Sequence, residues 1–436
     1  MIRKKKEYDQ LTLGEGVVYT TNCDVTGLNN NVAVIGGSGA GKTWSVVLKR
    51  IIDTHNGNLI VTTAKDRLWD LTANMMKNRG YNVQKLDLVH PEKSTSYWNL
   101  LDELKSWQEV TQFATDIVYA NKKRKESSSV DPYWEETGIS LLSALIGYIM
   151  CTQENADMKD VIDLFYSMKI QNGLNGIELS INSKFEAFER KVGDHFVVRM
   201  WKTISCLPEK TLRCVVGSLS TTLDKVFTED VLKVMSKDEG KEKLNLMSFA
   251  KEKSILYVNT SPYNINLNYL LNIFYANMFQ KFFEIADKNG GSLDIPLQLI
   301  MDDFAAGGEI NAFEQYISVI REARMSVMLL LQSEAQLSKI YGEDSARTIV
   351  DNCDTTINFS SNSSISCKHI AERIDRPLSE VLAMPIGKQI VIRRGQKPQF
   401  YINRYPILED PEYKKLVYEV KKRKKQEKSE DLRRII

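Results

Sequence analysis

The sequence predicts a parallel α/β domain interrupted by an all-helical insertion. Three observations carry this. Short apolar runs alternate with helical periodicity from Val32 to Leu88 and again from Ser254 to Arg393. The stretch between them, from about Leu104 to Thr211, has mostly helical spacing and few strand-like runs. A glycine-rich octapeptide, GGSGAGKT, stands between a buried-strand run and a helical run.

Taken in order, Val32 to Ile35 is an apolar run that ends in glycines, as a buried strand does; Asn58 to Thr63 and Val83 to Leu88 are similar. Between the last two, Leu68 to Arg79 has helical spacing and meets Gly80, a C-cap residue. Ser140 to Met150 and Met158 to Met168 exemplify the helical insertion, which also holds the charged, serine-rich loop from Lys122 to Pro132. The strand pattern resumes at Ser254 to Asn259, Leu297 to Asp302, Val327 to Gln332, Thr355 to Phe359 and Gln389 to Arg393, with Phe400 to Arg404 as one more edge strand. The expected division is therefore 1–103 and 212–410 for the two parts of the α/β domain, 104–211 for the insertion, and 411–436 for a basic tail.

Composition bounds what such a chain can be. At 436 residues it suits two or three domains, and 43% hydrophobic content supports real cores. A net charge of +2 excludes a polycation, so any nucleic-acid surface must be a local patch. The six cysteines are scattered without a CxxC pair and read as buried or free cytosolic thiols. The basic start MIRKKKEYDQ leads into no apolar stretch, so no signal peptide is visible. The longest nearly uncharged apolar run, Ile139 to Cys151, falls short of the roughly 18–20 residues that a membrane span needs. A cytoplasmic location is expected.

The octapeptide fits the pattern G-x-x-x-x-G-K-[ST]. Gly36, Gly37, Ser38, Gly39, Ala40 and Gly41 form a loop whose backbone N–H groups can curl toward phosphate oxygens. Lys42 is placed to reach the β- and γ-phosphates of ATP, and Thr43 to offer its hydroxyl to Mg²⁺. Such a loop needs a carboxylate on a neighbouring strand. The run LQLIMDDF supplies Asp302 for Mg²⁺ and Asp303 as the base or water-positioning group for hydrolysis. Gln332, ending the next strand run, is a candidate reporter of the γ-phosphate. Arg321 and Arg324 are expected on the helix between these strands, three apart on one face, as candidate fingers reaching a neighbouring subunit. Lys122, Lys123, Arg124 and Lys125 are candidate contacts for DNA phosphates or an acidic partner. The tail from Tyr413 to Ile436 carries ten Lys/Arg against four Asp/Glu. Its apolar residues (Leu416, Val417, Val420, Leu432, Ile435 and Ile436) are few, so a solvated or exposed-helical tail is expected, available to DNA or an anionic membrane surface.

The order of further motifs resembles the coupling proteins of conjugative type IV secretion systems, the TraG/TraD group, within the FtsK/HerA-like RecA-fold translocases. The matching pieces are Asn29-Asn30-Asn31 before the first strand, Gly80-Tyr81-Asn82-Val83, Ser96-Tyr97-Trp98-Asn99, and Asp131 to Trp134. They continue with DDFA from Asp302, Gln336 to Gly342, Asn352 to Thr355, and Arg394 to Pro398. Together they cover roughly residues 28–405. The resemblance implies a RecA-like P-loop NTPase domain with an inserted all-α domain. It implies an ATP- and Mg²⁺-dependent motor, active as a homohexamer. The substrate it implies is DNA, single-stranded and not read by sequence, led by a relaxase within a relaxosome. It further implies that the helical insertion recognises the relaxosome and that the ring delivers to type IV secretion channel components at the inner face of the membrane. Two departures stand out. Asp302-Asp303 replaces the usual Asp-Glu, and the membrane-spanning start of most members has no counterpart here. Both features favour the alternative of a nucleotide-binding docking platform with little turnover. A further alternative is another HerA/FtsK-like translocase, against which the helical insertion and Asp131 to Trp134 argue.

Overall fold

In a computed structural model, residues 8–64, 66–119, 133–173, 176–238, 240–261, 265–302, 304, 309–310, 312–361 and 363–435 are described. The chain divides into two compact units. The first comprises Met1–Lys85, Asn245–Tyr263 and Met278–Ile436, and the second Leu86–Leu244 and Asn264–Asn277.

Nine strands form one sheet. In chain order they are β1 (Val32–Ile35), β2 (Asn58–Thr63), β3 (Asn82–Asp87), β4 (Ser254–Asn259), β5 (Leu297–Met301), β6 (Met325–Leu331), β7 (Thr355–Phe359), β8 (Lys388–Arg393) and β9 (Gln399–Asn403). Their spatial order is β9-β8-β7-β1-β6-β5-β2-β4-β3. The pairs β7/β1, β1/β6, β6/β5, β5/β2 and β2/β4 are parallel, whereas β8 and β9 return antiparallel at one edge. Every residue of β1, β2, β4, β5, β6 and β7 is buried, which accounts for near-continuous apolar runs without alternation. An antiparallel hairpin, Gln10–Gly14 with Val17–Thr20, precedes the sheet and adds Leu11, Leu13 and Val17 to its core. The sequence pattern did not single it out.

Several motifs of the sequence prove to be devices that hold the sheet in register. The Asn29 side chain bonds Asn352 O at 3.0 Å and its backbone N–H donates to Asp354 Oδ2 at 2.6 Å. Asn31 donates to Asn352 O at 2.9 Å and accepts from the N–H of Val327 at 3.0 Å. Arg394 closes on the same Asp354 at 3.0 Å. The asparagine turn, the turn before β7 and Arg394 thus meet at the N-terminal ends of β1, β6 and β7, where strand-end polar groups need partners. Tyr81, after the left-handed Gly80, donates to Gly57 O at 3.0 Å.

The C-terminal segment departs from expectation. It forms the helix Pro411–Ile435, and its first turns are docked in the first unit. Leu416 is only 3% exposed, and Tyr413, Val417 and Val420 pack against the same core. These positions fall at i, i+3, i+4 and i+7, one helical face. The few apolar residues suffice because they are aligned. Arg423 then donates to Asp70 O at 3.0 Å, and Tyr413 meets Trp44 edge-on at 6.1 Å.

The second unit is built around the helix Tyr133–Thr152, which packs against Trp107–Tyr119, Met158–Ser167, Phe196–Ser205 and Glu209–Val226. Its apolar run needs no membrane: Leu141, Leu142, Leu145, Ile146 and Ile149 are all buried among these neighbours. A Cβ on Gly147 would lie 2.6 Å from Val197, so glycine permits the close helix approach. Helices continue beyond residue 211, through Glu209–Val226 and Glu229–Met235. Among the described residues no helix is long and apolar enough to cross a membrane.

Candidate nucleotide site

The parallel strands point their C-terminal ends to one edge of the sheet, where α/β proteins bind ligands. β1 runs into the loop Gly36–Gly41. The helix that follows begins at Thr43 with a π-helical segment, Thr43–Leu48, and continues as Lys49–Ile52. The N–H of Gly36 donates to Leu331 O at 3.1 Å, tying the loop to the end of β6. A Cβ on Gly36 would lie 2.7 Å from the Cβ of Phe359 at the end of β7, so only glycine fits there. Gly41 has φ +97, in the region that glycine adopts without strain. Its carbonyl accepts from both the N–H and the hydroxyl of Ser45, each at 2.8 Å.

Lys42 is largely buried, and its ammonium donates to Gly36 O and, at 3.2 Å, to Gly37 O. The lysine is thus already folded over the cradle. The Thr43 hydroxyl donates to Asp302 Oδ2 at 3.1 Å, joining the two predicted metal-binding residues across 259 positions of sequence. Asp302 follows β5 directly, and its N–H donates to Thr62 O at 3.4 Å on β2. A hydroxyl and a carboxylate oxygen side by side at a phosphate loop form a hard-oxygen donor set of the kind Mg²⁺ uses. Gln332 follows β6 and is exposed at its tip, one residue beyond the carbonyl that anchors Gly36; its Oε1 is 3.4 Å from Gln336 Nε2.

Two described residues beyond Asp302 are held by one tyrosine. Tyr341, in the Gln336 to Gly342 motif, accepts from the N–H of Ile310 at 3.0 Å and stacks on Phe304 at 5.7 Å. Asp303 lies outside the described residues, as do Lys122, Lys123, Arg124, Lys125 and Asp131.

Arg321 and Arg324 are not on a helix. The helix Phe313–Val319 ends before them, and a turn carries both into β6, with Arg324 at φ +58. The turn closes through Arg324 N–H to Arg321 O at 3.0 Å and Met325 N–H to Ile320 O at 2.9 Å. Arg324 donates to Leu293 O at 2.8 Å and Asp294 O at 2.6 Å, so its guanidinium is engaged in capping a neighbouring turn. Arg321 is exposed. Both stand at the start of β6, whereas the phosphate loop stands beside its end. Seven strand residues put about 20 Å between them.

Sequence reading missed two contributors to this edge. Phe359 limits the space above Gly36. Arg404, just after β9, donates from Nη1 to Ala40 O at 3.2 Å. Nothing local in the sequence connects positions 364 residues apart.

Comparison with known proteins bears on the fold and on the family. Among solved structures, the chain is similar to the bacterial conjugative coupling protein TrwBdeltaN70. The TM-score is 0.64 at 13% identity, covering 93% of this chain and 92% of that one. TrwB in complex with ADP and Mg²⁺ matches at TM-score 0.61 and 12% identity, over 87% and 88% of the two chains. VirB4 of Thermoanaerobacter pseudethanolicus matches at TM-score 0.54 and 12% identity, over 91% and 96%. These likenesses establish a shared fold. No curated protein sequence matches the chain. Residues 1–376 match the family described as type IV secretory system conjugative DNA transfer, and with most of its length inside that match the chain belongs to this family.

Proposed function

We propose that the chain is an ATP-driven coupling protein that recruits a relaxase-bound DNA and moves the DNA toward a type IV secretion channel. The observation that carries this reading is the Thr43–Asp302 pair at 3.1 Å beside a buried Lys42, in a chain of the conjugative DNA transfer family. TrwB, which shares the fold, was solved with ADP and Mg²⁺ and with an ATP analogue that cannot be hydrolysed.

In this reading the loop from Gly36 to Gly41 cradles the phosphates with its N–H groups, and Lys42 turns from the Gly36 and Gly37 carbonyls to the β- and γ-oxygens. Thr43 and Asp302 hold Mg²⁺, which neutralises charge building on the transferred phosphoryl group. Asp303 accepts the proton of the attacking water, and Gln332 senses the γ-phosphate from the tip of β6. Arg321 serves a neighbouring subunit, because it stands at the far edge of its own sheet and is exposed. The active assembly is a homohexamer with each site completed in trans. Arg324 holds the turn that presents Arg321, through the carbonyls of Leu293 and Asp294. Residues 104–211 contact the relaxosome, and Lys122, Lys123, Arg124 and Lys125 grip phosphates of single-stranded DNA without reading sequence. The protein works at the cytoplasmic face of the membrane.

The test is ATP turnover by the purified chain with and without single-stranded DNA, set against Asp303→Asn. DNA-stimulated turnover that is lost in the variant, with ATP binding retained, is expected. Tight ATP binding without turnover under any DNA would replace the motor with a docking platform.

A further inference from the structure

A planar cation lies on the phosphate loop from a part of the chain that no motif includes. Arg404 directly follows β9, and its backbone N–H donates to Gly387 O at 2.9 Å. Its Nη1 donates to Ala40 O at 3.2 Å and lies 2.7 Å from the place a Cβ on Gly41 would occupy. The side chain is exposed, and among the described residues no carboxylate pairs with it. An arginine held over a glycine by a single carbonyl keeps four of its five N–H donors and one planar face available.

The strand order identifies which end of the loop this is. β1, which leads into the loop, has β6 and β5 on one flank and β7, β8 and β9 on the other. Asp302 and Gln332, just beyond β5 and β6, mark the first flank as that of the metal and the terminal phosphates. A phosphate chain anchored there would have the opposite flank, where Arg404 stands, for its sugar and base. Gly41 is required for its positive φ, and its missing Cβ leaves the place that the guanidinium takes up against the loop.

We propose that Arg404 is a positioning residue for the nucleoside end of the bound nucleotide, an inference that rests on the nucleotide-site reading above. Its free donors meet acceptors of the sugar and base, and its plane covers the base, as guanidinium groups stack on aromatic rings. The bond to Ala40 O fixes the guanidinium before ligand arrives, so little side-chain freedom is lost on binding.

The experiment compares ATP with inorganic tripolyphosphate, each with Mg²⁺, on the full chain. The ratio of the two affinities reports what the nucleoside adds. In Arg404→Gln the ratio should fall about tenfold, in line with the loss of one or two hydrogen-bonded contacts, while tripolyphosphate affinity stays within about twofold. Equal losses for both ligands would show Arg404 to be only a prop of the loop and would overturn the inference, as would no change in either. Should Arg404→Gln fail to fold, Arg404→Lys decides, because lysine can keep a bond to Ala40 O but lacks the planar fork. A fall in the ratio supports the inference, and an unchanged ratio overturns it. Wild-type protein that binds neither ligand would instead refute the nucleotide site itself, and this inference with it.

Discussion

Lys42→Ala tests the site at its main charge. In the free protein the ammonium donates to Gly36 O and Gly37 O, so binding exchanges two carbonyl bonds for two phosphate bonds. Both sets of bonds have the charged ammonium as donor, so a bond to a neutral carbonyl sits near the low end of the about 1.5–3 kcal/mol for charged groups and a bond to an anionic phosphate oxygen near the high end. The exchange therefore leaves about 1–3 kcal/mol, or about 5-fold to 150-fold in ATP affinity. Turnover falls further, because charge grows on the γ-phosphoryl oxygens as the bond breaks. ADP has no γ-phosphate and loses about half as much binding energy. Titration with fluorescent ATP and ADP analogues measures the first quantity, and phosphate release with single-stranded DNA the second. An ATP dissociation constant within about threefold of wild type would refute the reasoning. So would equal losses for ATP and ADP, since Lys42 would then touch no γ-oxygen.

Asp302→Asn keeps an acceptor for the Thr43 hydroxyl but removes the negative charge, so it should weaken the Mg²⁺-dependent part of ATP binding and leave binding in EDTA unchanged. Asp303→Asn should spare binding and lose turnover, and identical binding losses in the two variants would refute this division of roles. Leu416→Ala should cost about 2–3 kcal/mol of docking for the C-terminal helix; amide exchange over residues 411–423 should then accelerate about 30- to 150-fold, against no change if the helix were undocked. Burial by itself would raise the Asp410 carboxyl, but bonds from the Tyr405 hydroxyl, the Lys49 ammonium and the Tyr413 N–H outweigh it and hold the group below its ordinary value. Its contribution is therefore fully present above the ordinary carboxylate range, roughly pH 4, and is lost as pH falls below that through its own lower value. Protease sensitivity of the C-terminal helix, followed from neutral to acid pH, should rise at the acid end, and Asp410→Asn should flatten that rise.

The nine strands of the sheet and the phosphate loop were legible in the sequence because each is local. The fully buried parallel strands are dominated by apolar residues, the edge strands β8 and β9 carry shorter apolar runs, and a loop that exposes its N–H groups must carry glycine at set spacings. Asp302 was legible for the same reason, as a carboxylate that ends the apolar run of β5. Position across the sheet was not. That β5 lies two places from β1, so that Thr43 and Asp302 meet, is a matter of strand order, which pairwise packing decides. Strand direction likewise puts Arg321 at the edge opposite the loop. The tail was misjudged by counting its apolar residues, whereas helix periodicity gathers Tyr413, Leu416, Val417 and Val420 onto one face and charges fill the rest. Arg404 and Phe359 reach the phosphate loop only because β7, β8 and β9 stack beside β1. What the sequence determined by itself is the chemistry available at each strand end, since that depends on residue type and near neighbours. Which of those ends share a site was decided by the tertiary structure, because hydrogen-bonded strand pairing takes no account of distance along the chain.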